Sequence, residues 1–351
     1  MNGRKEIFNH MTTVSKRWVK SFLMASGGVE LAGRFTPSAG LILMYHAVED
    51  DPRAVAHTLG RNALSTALFS QQMEVVARRF TPLSLDDLLR RLAWGEPLPR
   101  KAVVVTFDDG YADNCEIALP VLERFGIPAT FYVLAGAVAS GRAPWFVRLR
   151  YAFSTTRKPV WRDEPRARTY SLEEDENRRT TFLESCVQCA RLDGAAREEF
   201  TASVERQLEA PLVGDRLMMT WSQVRKLIEK GHTVGSHTMT HPNLAYIGEQ
   251  DARWELKESK RTLEANLGAA IKHFSYPHPV LNPNWTEATQ QLCRQAGFES
   301  AVVTLNGPVR PGEDFQALPR LYTPADLSDF RWHLERTMFQ RKPILSPSYG
   351  S

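Results

Sequence analysis

Two short stretches hold the side chains best suited to chemistry. Thr106-Phe107-Asp108-Asp109-Gly110-Tyr111 carries adjacent carboxylates, and Ser236-His237-Thr238-Met239-Thr240-His241-Pro242 spaces two imidazoles four residues apart. Two like charges side by side at the end of an apolar run are costly unless something positive compensates them. A metal ion is the evident compensator. Two imidazoles and one carboxylate leave an open coordination position, which a catalytic zinc-type site requires. The other carboxylate can then act as general base toward a water, the division of labour of metal-assisted hydrolysis. Each stretch alone says less. Asp-Asp-Gly also favours a surface turn, and a lone His-x-x-x-His is often two ordinary histidines. A magnesium phosphatase site would set its aspartates two residues apart and would not need the histidine pair.

The flanking sequence shows how these groups are positioned. Ala102-Val103-Val104-Val105 is a continuous apolar run, the pattern of a parallel strand buried on both faces. Gly110 gives the turn after it backbone freedom. Thr233-Val234-Gly235-Ser236 leads into the histidine pair as a second strand, and Pro242 disfavours helix at His241. Both motifs therefore end strands on the same edge of one sheet. Further strands are expected at 41–45, 129–134, 271–275, 300–304 and 318–321. Helices are expected near 65–79, 113–125, 221–230, 249–266, 284–296 and 326–337, with Asn284 as an N-cap. Gly126-Ile127-Pro128 stops one helix before the next strand. Repeated βα units predict a parallel sheet or barrel with its ligands at the carboxyl ends of the strands.

From about 137 to 219 the βα rhythm stops, which marks a mostly helical insertion with a helix over 198–208. Its first part is basic, with Arg142, Arg148, Arg150, Arg157, Lys158, Arg162, Arg166 and Arg168 against Asp163 and Glu164. That segment could meet an anionic substrate or lipid carrier, or form a solvated surface. The Cys186-x-x-Cys189 pair has no second pair to complete a zinc site, and its helical surroundings favour plain packing.

The bulk composition excludes other classes. The 351 residues are 43% hydrophobic and 24% charged, as in an ordinary globular protein. The net charge is +4. The basic excess sits in the first 35 residues, which is not the footprint of a nucleic-acid binder. Residues 1–37 form a basic amphipathic arm. Val14, Trp18 and Phe22 share a helical face beside Lys16, Arg17 and Lys20, so the arm could lie on an anionic membrane surface or pack on the domain. Residues 21–31 are too short and broken for a signal peptide. Four sparse cysteines fit a reducing compartment. The expected location is cytoplasmic, with peripheral association at the inner membrane as a further option.

The two motifs resemble the first two of the polysaccharide deacetylases, carbohydrate esterase family four. Leu43-Met44-Tyr45-His46 is similar to the opening strand of a bacterial branch of that family, and Phe274-Ser275-Tyr276-Pro277 to its third motif. The likeness covers about 40–136 and 220–325, within a catalytic domain placed at 38–345. It implies an α/β fold, a distorted, incomplete (β/α) barrel of about seven units. It also implies removal of acetyl from N-acetylhexosamine units of a polysaccharide, oligosaccharide or lipid-linked glycan.

By position, the resemblance makes Asp108 the general base and Asp109, His237 and His241 ligands of a divalent metal. Zn²⁺ is the leading ion, with Co²⁺, Mn²⁺ or Ni²⁺ also fitting. The loop Tyr276-Pro277-His278 would line the oxyanion or substrate side. Three features depart from the family pattern. Ser275 stands where many members carry the Arg that orients the base. His278 replaces a Tyr. The C-terminal Leu-x-His motif is not recognisable, since Phe330-Arg331-Trp332-His333 falls within a helix. His46 is then the first candidate for the general acid and His278 the second. Tyr45 and Tyr111 read as packing or substrate-wall residues. The alternatives are a deformylase or small-amide hydrolase on the same site, or an inactive glycan-binding barrel.

Overall fold

The computed structural model describes residues 39–50, 63–211, 213, 217–277, 281–340 and 343–345. The N-terminal arm and His278 lie outside the described residues. Nine strands form the main sheet: β1 Gly40–Tyr45, β2 Thr81–Pro82, β3 Ala102–Phe107, β4 Ala129–Val133, β5 Thr233–Ser236, β6 His273–Ser275, β7 Ser300–Val303, β8 Leu318–Pro319 and β9 Leu321–Tyr322. All its pairings are parallel, in the order β8-β7-β6-β5-β4-β3-β1-β9, with β2 beside β3.

One chain segment joins the two ends of that order. Leu318 and Pro319 pair with Val302 and Val303 on β7, while Leu321 and Tyr322 pair with Leu43 and Met44 on β1. Residues 318–322 thus bring the sheet round to a nearly closed barrel, as the incomplete-barrel expectation held. Arg320 lies at the seam.

Strand alternation sorts the side chains into two layers. Leu41, Leu43, Val103, Val105, Phe107, Phe131 and Leu321 face outward into the main core. Ile42, Val104, Tyr132, Val302 and Leu318 face the barrel interior. Both layers are apolar, which is why β3 reads as an unbroken hydrophobic run. Thr106 and Asp108 share the inward parity of Val104, so the first carboxylate enters the barrel at its carboxyl end.

Around the sheet lie α1 Thr66–Arg79, α2 Leu85–Ala93, α3 Leu119–Phe125, α4 Ala135–Ser140, α5 Trp145–Thr155, α6 Asp175–Cys189, α7 Gly194–Gln207, α8 Trp221–Glu229, α9 Glu249–Leu267, α10 Glu287–Gln295 and α11 Leu327–Met338. Helix α2 is an addition to the expected set. Ser84 caps it through the Asp87 amide, and Leu85, Leu88 and Leu89 pack with the interior side chains of the barrel. Helix α10 is capped by Thr286 in a capping box rather than by Asn284, which is buried. No helix among the described residues is long and apolar enough to cross a membrane.

Between β4 and β5 the chain forms α4 to α7 and an antiparallel hairpin, Val160–Asp163 with Arg168–Ser171. This region has its own core, built on Phe146, Leu149, Phe153, Trp161, Leu172, Phe182 and Val204. Cys186 and Cys189 are buried in it, and burial raises both thiols, Cys189 to about 12. Such thiols are poor nucleophiles and poor ligands. Most of the basic side chains are matched locally. Arg148 pairs with Glu198 and Glu205, Arg142 with Glu198, Lys158 with Glu209, Arg162 with Glu164, and Arg168 with Glu184. The acids of α7 balance Arg142 and Arg148, a pairing that linear charge counting over 142–168 misses.

Candidate metal centre and its neighbours

The carboxyl ends of β3 and β5 bring Asp109, His237 and His241 together. One ligand atom from each lies within 4.8 Å of the others, and all three residues are buried. Nε2 of His237 and Nε2 of His241 each lie 3.5 Å from Asp109 Oδ1. Two ligand atoms on a tetrahedral ion at about 2.0–2.1 Å are themselves roughly 3.4 Å apart. The spacing therefore suits one shared ion better than direct hydrogen bonds. Among the described residues Asp109 Oδ1 is buried with no hydrogen-bond partner, an expensive state without a cation. His237 Nδ1 donates to the Ser275 carbonyl at 2.8 Å, which leaves Nε2 free to ligate. Burial, helped by His237, lowers His241 to about 3, so its imidazole is neutral near pH 7, the ligating form. These residues fit a divalent ion.

The ligands sit on an unusual backbone. Asp109, Thr238 and His241 adopt φ values of 71°, 73° and 59°, three of the six left-handed non-glycine residues among those described. Such conformations cost about 1–3 kcal/mol each and persist only where the surroundings enforce them. Here the enforcement is visible. Thr238 Oγ1 donates to the His237 carbonyl and accepts from the His241 amide at 3.0 Å. The start of α4 donates from Ala135 to Thr238 O at 3.1 Å and from Gly136 to Met239 O at 3.2 Å. A Cβ on Gly136 would lie 2.4 Å from Met239 O. Gly136→Ala should therefore push the histidine loop outward. We expect about 1–3 kcal/mol lower stability in urea titrations, together with weaker metal binding.

Asp108 is separate from the ligand cluster and has its own partner. Arg320 grips it with two bonds, Nη1 to Oδ1 and Nη2 to Oδ2, both 2.7 Å. Arg320 Nη2 also donates to Ser275 Oγ at 2.9 Å, and Nη1 approaches Thr106 Oγ1 at 3.3 Å. Burial pushes the Asp108 carboxyl up, but the Arg320 charge, then His237, outweighs it and holds the group below the ordinary carboxylate range. Asp108 is thus an oriented carboxylate near pH 7.

Ser275 stands where many family members carry the Arg that orients the base, and here Arg320 makes that contact instead. The arginine is present, but it arrives from the seam of the barrel, and the small Ser275 leaves room for it. The signal was there in Leu318-Pro319-Arg320-Leu321. A cation at an inward position of a buried strand needs a buried anion opposite.

The other expected site residues divide. His46 follows β1 and is partly exposed. It interacts electrostatically with Asp109, Asp108, Arg320 and His237, so it borders the same cluster, while burial lowers its pKa. Asn114 is fully buried in the π-helical turn Asn114–Ala118 and donates to the His46 carbonyl at 2.7 Å. Tyr276 turns its ring into the outer core against Phe274 at 5.1 Å, and its amide donates to the Val302 carbonyl at 3.3 Å. Tyr45 is likewise buried, bonded to Gln72 at 2.9 Å. Tyr111 is buried in the insertion core.

Comparison with known proteins agrees with this geometry. The polysaccharide deacetylase family model matches residues 95–178 and 193–301, more than half of the chain. The chain belongs to the polysaccharide deacetylase family. Among relatives, it is 32% identical over 102 residues to a poly-beta-1,6-N-acetyl-D-glucosamine N-deacetylase of Escherichia coli, covering 29% of this chain and 15% of that protein. It is 29% identical over 76 residues to a chitooligosaccharide deacetylase of Sinorhizobium fredii, covering 21% and 34%. These matches thus span well under two thirds of those relatives' own length.

The same deacetylase fold appears in solved structures. The deacetylase PplD of Streptococcus pyogenes superposes with a TM-score of 0.58 at 20% identity, covering 87% of this chain and all of that one. IcaB from Ammonifex degensii gives 0.55 at 19%, covering 86% and 98%. At these identities the likeness speaks to the fold of this deacetylase family member and not to its substrate.

Proposed function

We propose that this protein is a metal-dependent N-deacetylase acting on N-acetylhexosamine units of a glycan. The observation that carries this reading is the pairing of two arrangements on the adjacent residues Asp108 and Asp109. One is a three-ligand cluster, whose ligand number leaves a coordination position open on a tetrahedral ion. The other is a carboxylate beside it, held ionised and oriented by Arg320. Bound there, a divalent ion supplies Lewis-acid polarisation of the acyl carbonyl.

Asp109, His237 and His241 hold the ion. Asp108 takes the proton of the water that attacks the amide carbonyl. The carbon–nitrogen bond then breaks, acetate leaves, and the sugar amine accepts a proton. His46, on the rim of the same cluster, is the proposed donor; because burial lowers its pKa, it must first take up the proton that Asp108 receives from the water. The relatives that are named as deacetylases of poly-β-1,6-N-acetylglucosamine and of chitooligosaccharides supply the glycans to try first.

The test is acetate release from both glycans before and after dipicolinate treatment. Release should disappear with the metal and return on adding Zn²⁺, Co²⁺, Mn²⁺ or Ni²⁺, with the most active ion identifying the preference. His46→Gln should lower kcat in the same assay. Formate release from N-formyl sugars in place of acetate would move the assignment to a deformylase. Glycan binding with no acyl release under any ion would overturn the enzymatic reading.

A further inference from the structure

The loop between His237 and His241 is gripped on its outer side by two buried charges that face away from the reacting groups. Glu255 of α9 accepts the amides of Met239 at 2.8 Å and Thr240 at 3.0 Å, and also the Thr240 hydroxyl. Arg197 of α7, in the insertion, donates to Thr240 Oγ1 at 2.6 Å and to the Leu192 carbonyl at 3.3 Å. Arg197 is 3% exposed and Glu255 4%. The insertion makes two more contacts at the same place. Trp145 Nε1 donates to the His241 carbonyl at 3.2 Å, and Phe146 packs its ring 4.5 Å from the imidazole.

Burying an arginine and a glutamate is costly, and water could satisfy the same loop at lower cost. What water cannot do is hold Thr238 and His241 in left-handed conformations. Freed from its grip, the loop would relax and carry His241 away from Asp109.

We propose that Arg197 and Glu255 are positioning residues of the metal centre, acting through Thr240, and that the insertion is thereby a working part of that centre. This rests on Asp109, His237 and His241 being the ligand set. Outer contacts of this kind are typically worth ten- to a hundredfold in metal affinity.

The experiment is Zn²⁺ titration by calorimetry of the metal-stripped full chain, with the visible spectrum of the Co²⁺ form as a second readout. Arg197→Met should bind Zn²⁺ ten- to a hundredfold more weakly and alter the Co²⁺ spectrum. Thr240→Val removes only the shared hydroxyl and carries the test should Arg197→Met fail to fold. It should give a similar loss, and the double variant should be little worse than either single, because both act through one bond. Arg148→Met breaks ion pairs of the same insertion without touching the loop, and should bind as the wild type does.

Wild-type affinity in both Arg197→Met and Thr240→Val would overturn the proposal. So would an equal loss in Arg148→Met, which would point to general loosening. A wild type that binds no Zn²⁺ or Co²⁺ would overturn it together with the ligand assignment. A wild type that binds metal but releases no acetate, with the predicted losses intact, would support this proposal while removing the deacetylase reading.

Discussion

Arg320→Met will cost this protein both catalysis and stability. The substitution removes the two 2.7 Å bonds that reach both oxygens of a carboxylate that is 3% exposed, and leaves that charge in the barrel interior with the weaker Ser275 Oγ contact at 3.3 Å. Deleting one member of a buried ion pair costs about 3–5 kcal/mol, because the survivor keeps its desolvation penalty. Urea unfolding of the metal-free protein should show a loss of that size. Stability alone does not exhaust the effect. Without the arginine, the burial that pushes the Asp108 carboxyl up is opposed less, which shifts the group toward the neutral form that cannot accept a proton.

Arg320→Lys is the sharper variant. It keeps the charge but not the planar two-bond fork, so it should recover part of the stability and little of the orientation. Turnover in Arg320→Lys should stay far below wild type even where the fold is intact, and wild-type turnover there would sink the orienting role. The pair also has a pH signature. Its folded carboxyl is depressed, so its stabilisation is present above the unfolded value of about 4 and is lost as pH falls below it.

Asp108→Asn will abolish acetate release while leaving metal binding close to wild type. A positioned general base contributes roughly 10²–10⁴-fold, and an amide cannot replace it. The ligand atoms belong to Asp109, His237 and His241, and none of them comes from Asp108. Zn²⁺ calorimetry beside the acetate assay separates the two roles. Lost metal binding in Asp108→Asn would show that the adjacent aspartates are not divided between base and ligand. Full activity would remove the base assignment. Asp109→Asn should give the opposite pattern, losing metal and activity together.

Much of this was legible in the residues themselves. A two-sided apolar run ending in Asp-Asp-Gly places a charged group at a strand end. A histidine pair after a second such strand places its partners on the same edge. Local periodicity also located most of the strands and helices, because burial on one or both faces imposes its period on the chain. Helix α2 is absent from the expected set although Ser84 and its leucines announce it, because its 9 residues are too few to display a clear helical period.

Arg320 shows what local reading cannot reach. It is 212 residues from Asp108, and nothing around it in the chain says which anion it meets. The meeting depends on residues 318–322 closing the barrel between β7 and β1, which only the register of the whole sheet decides. Arg197, Glu255 and Thr240 belong to the same class, because their contacts form when the insertion folds back onto the histidine loop.

The adjacent aspartates and paired histidines determine by themselves that a metal centre can form, because the ligand types and the strand ends are written locally. Only the tertiary structure decides that Asp109 joins both imidazoles while Asp108 turns inward to Arg320. Neighbouring residues at a strand end can turn either way, and the choice is made by long-range partners that compensate their charge.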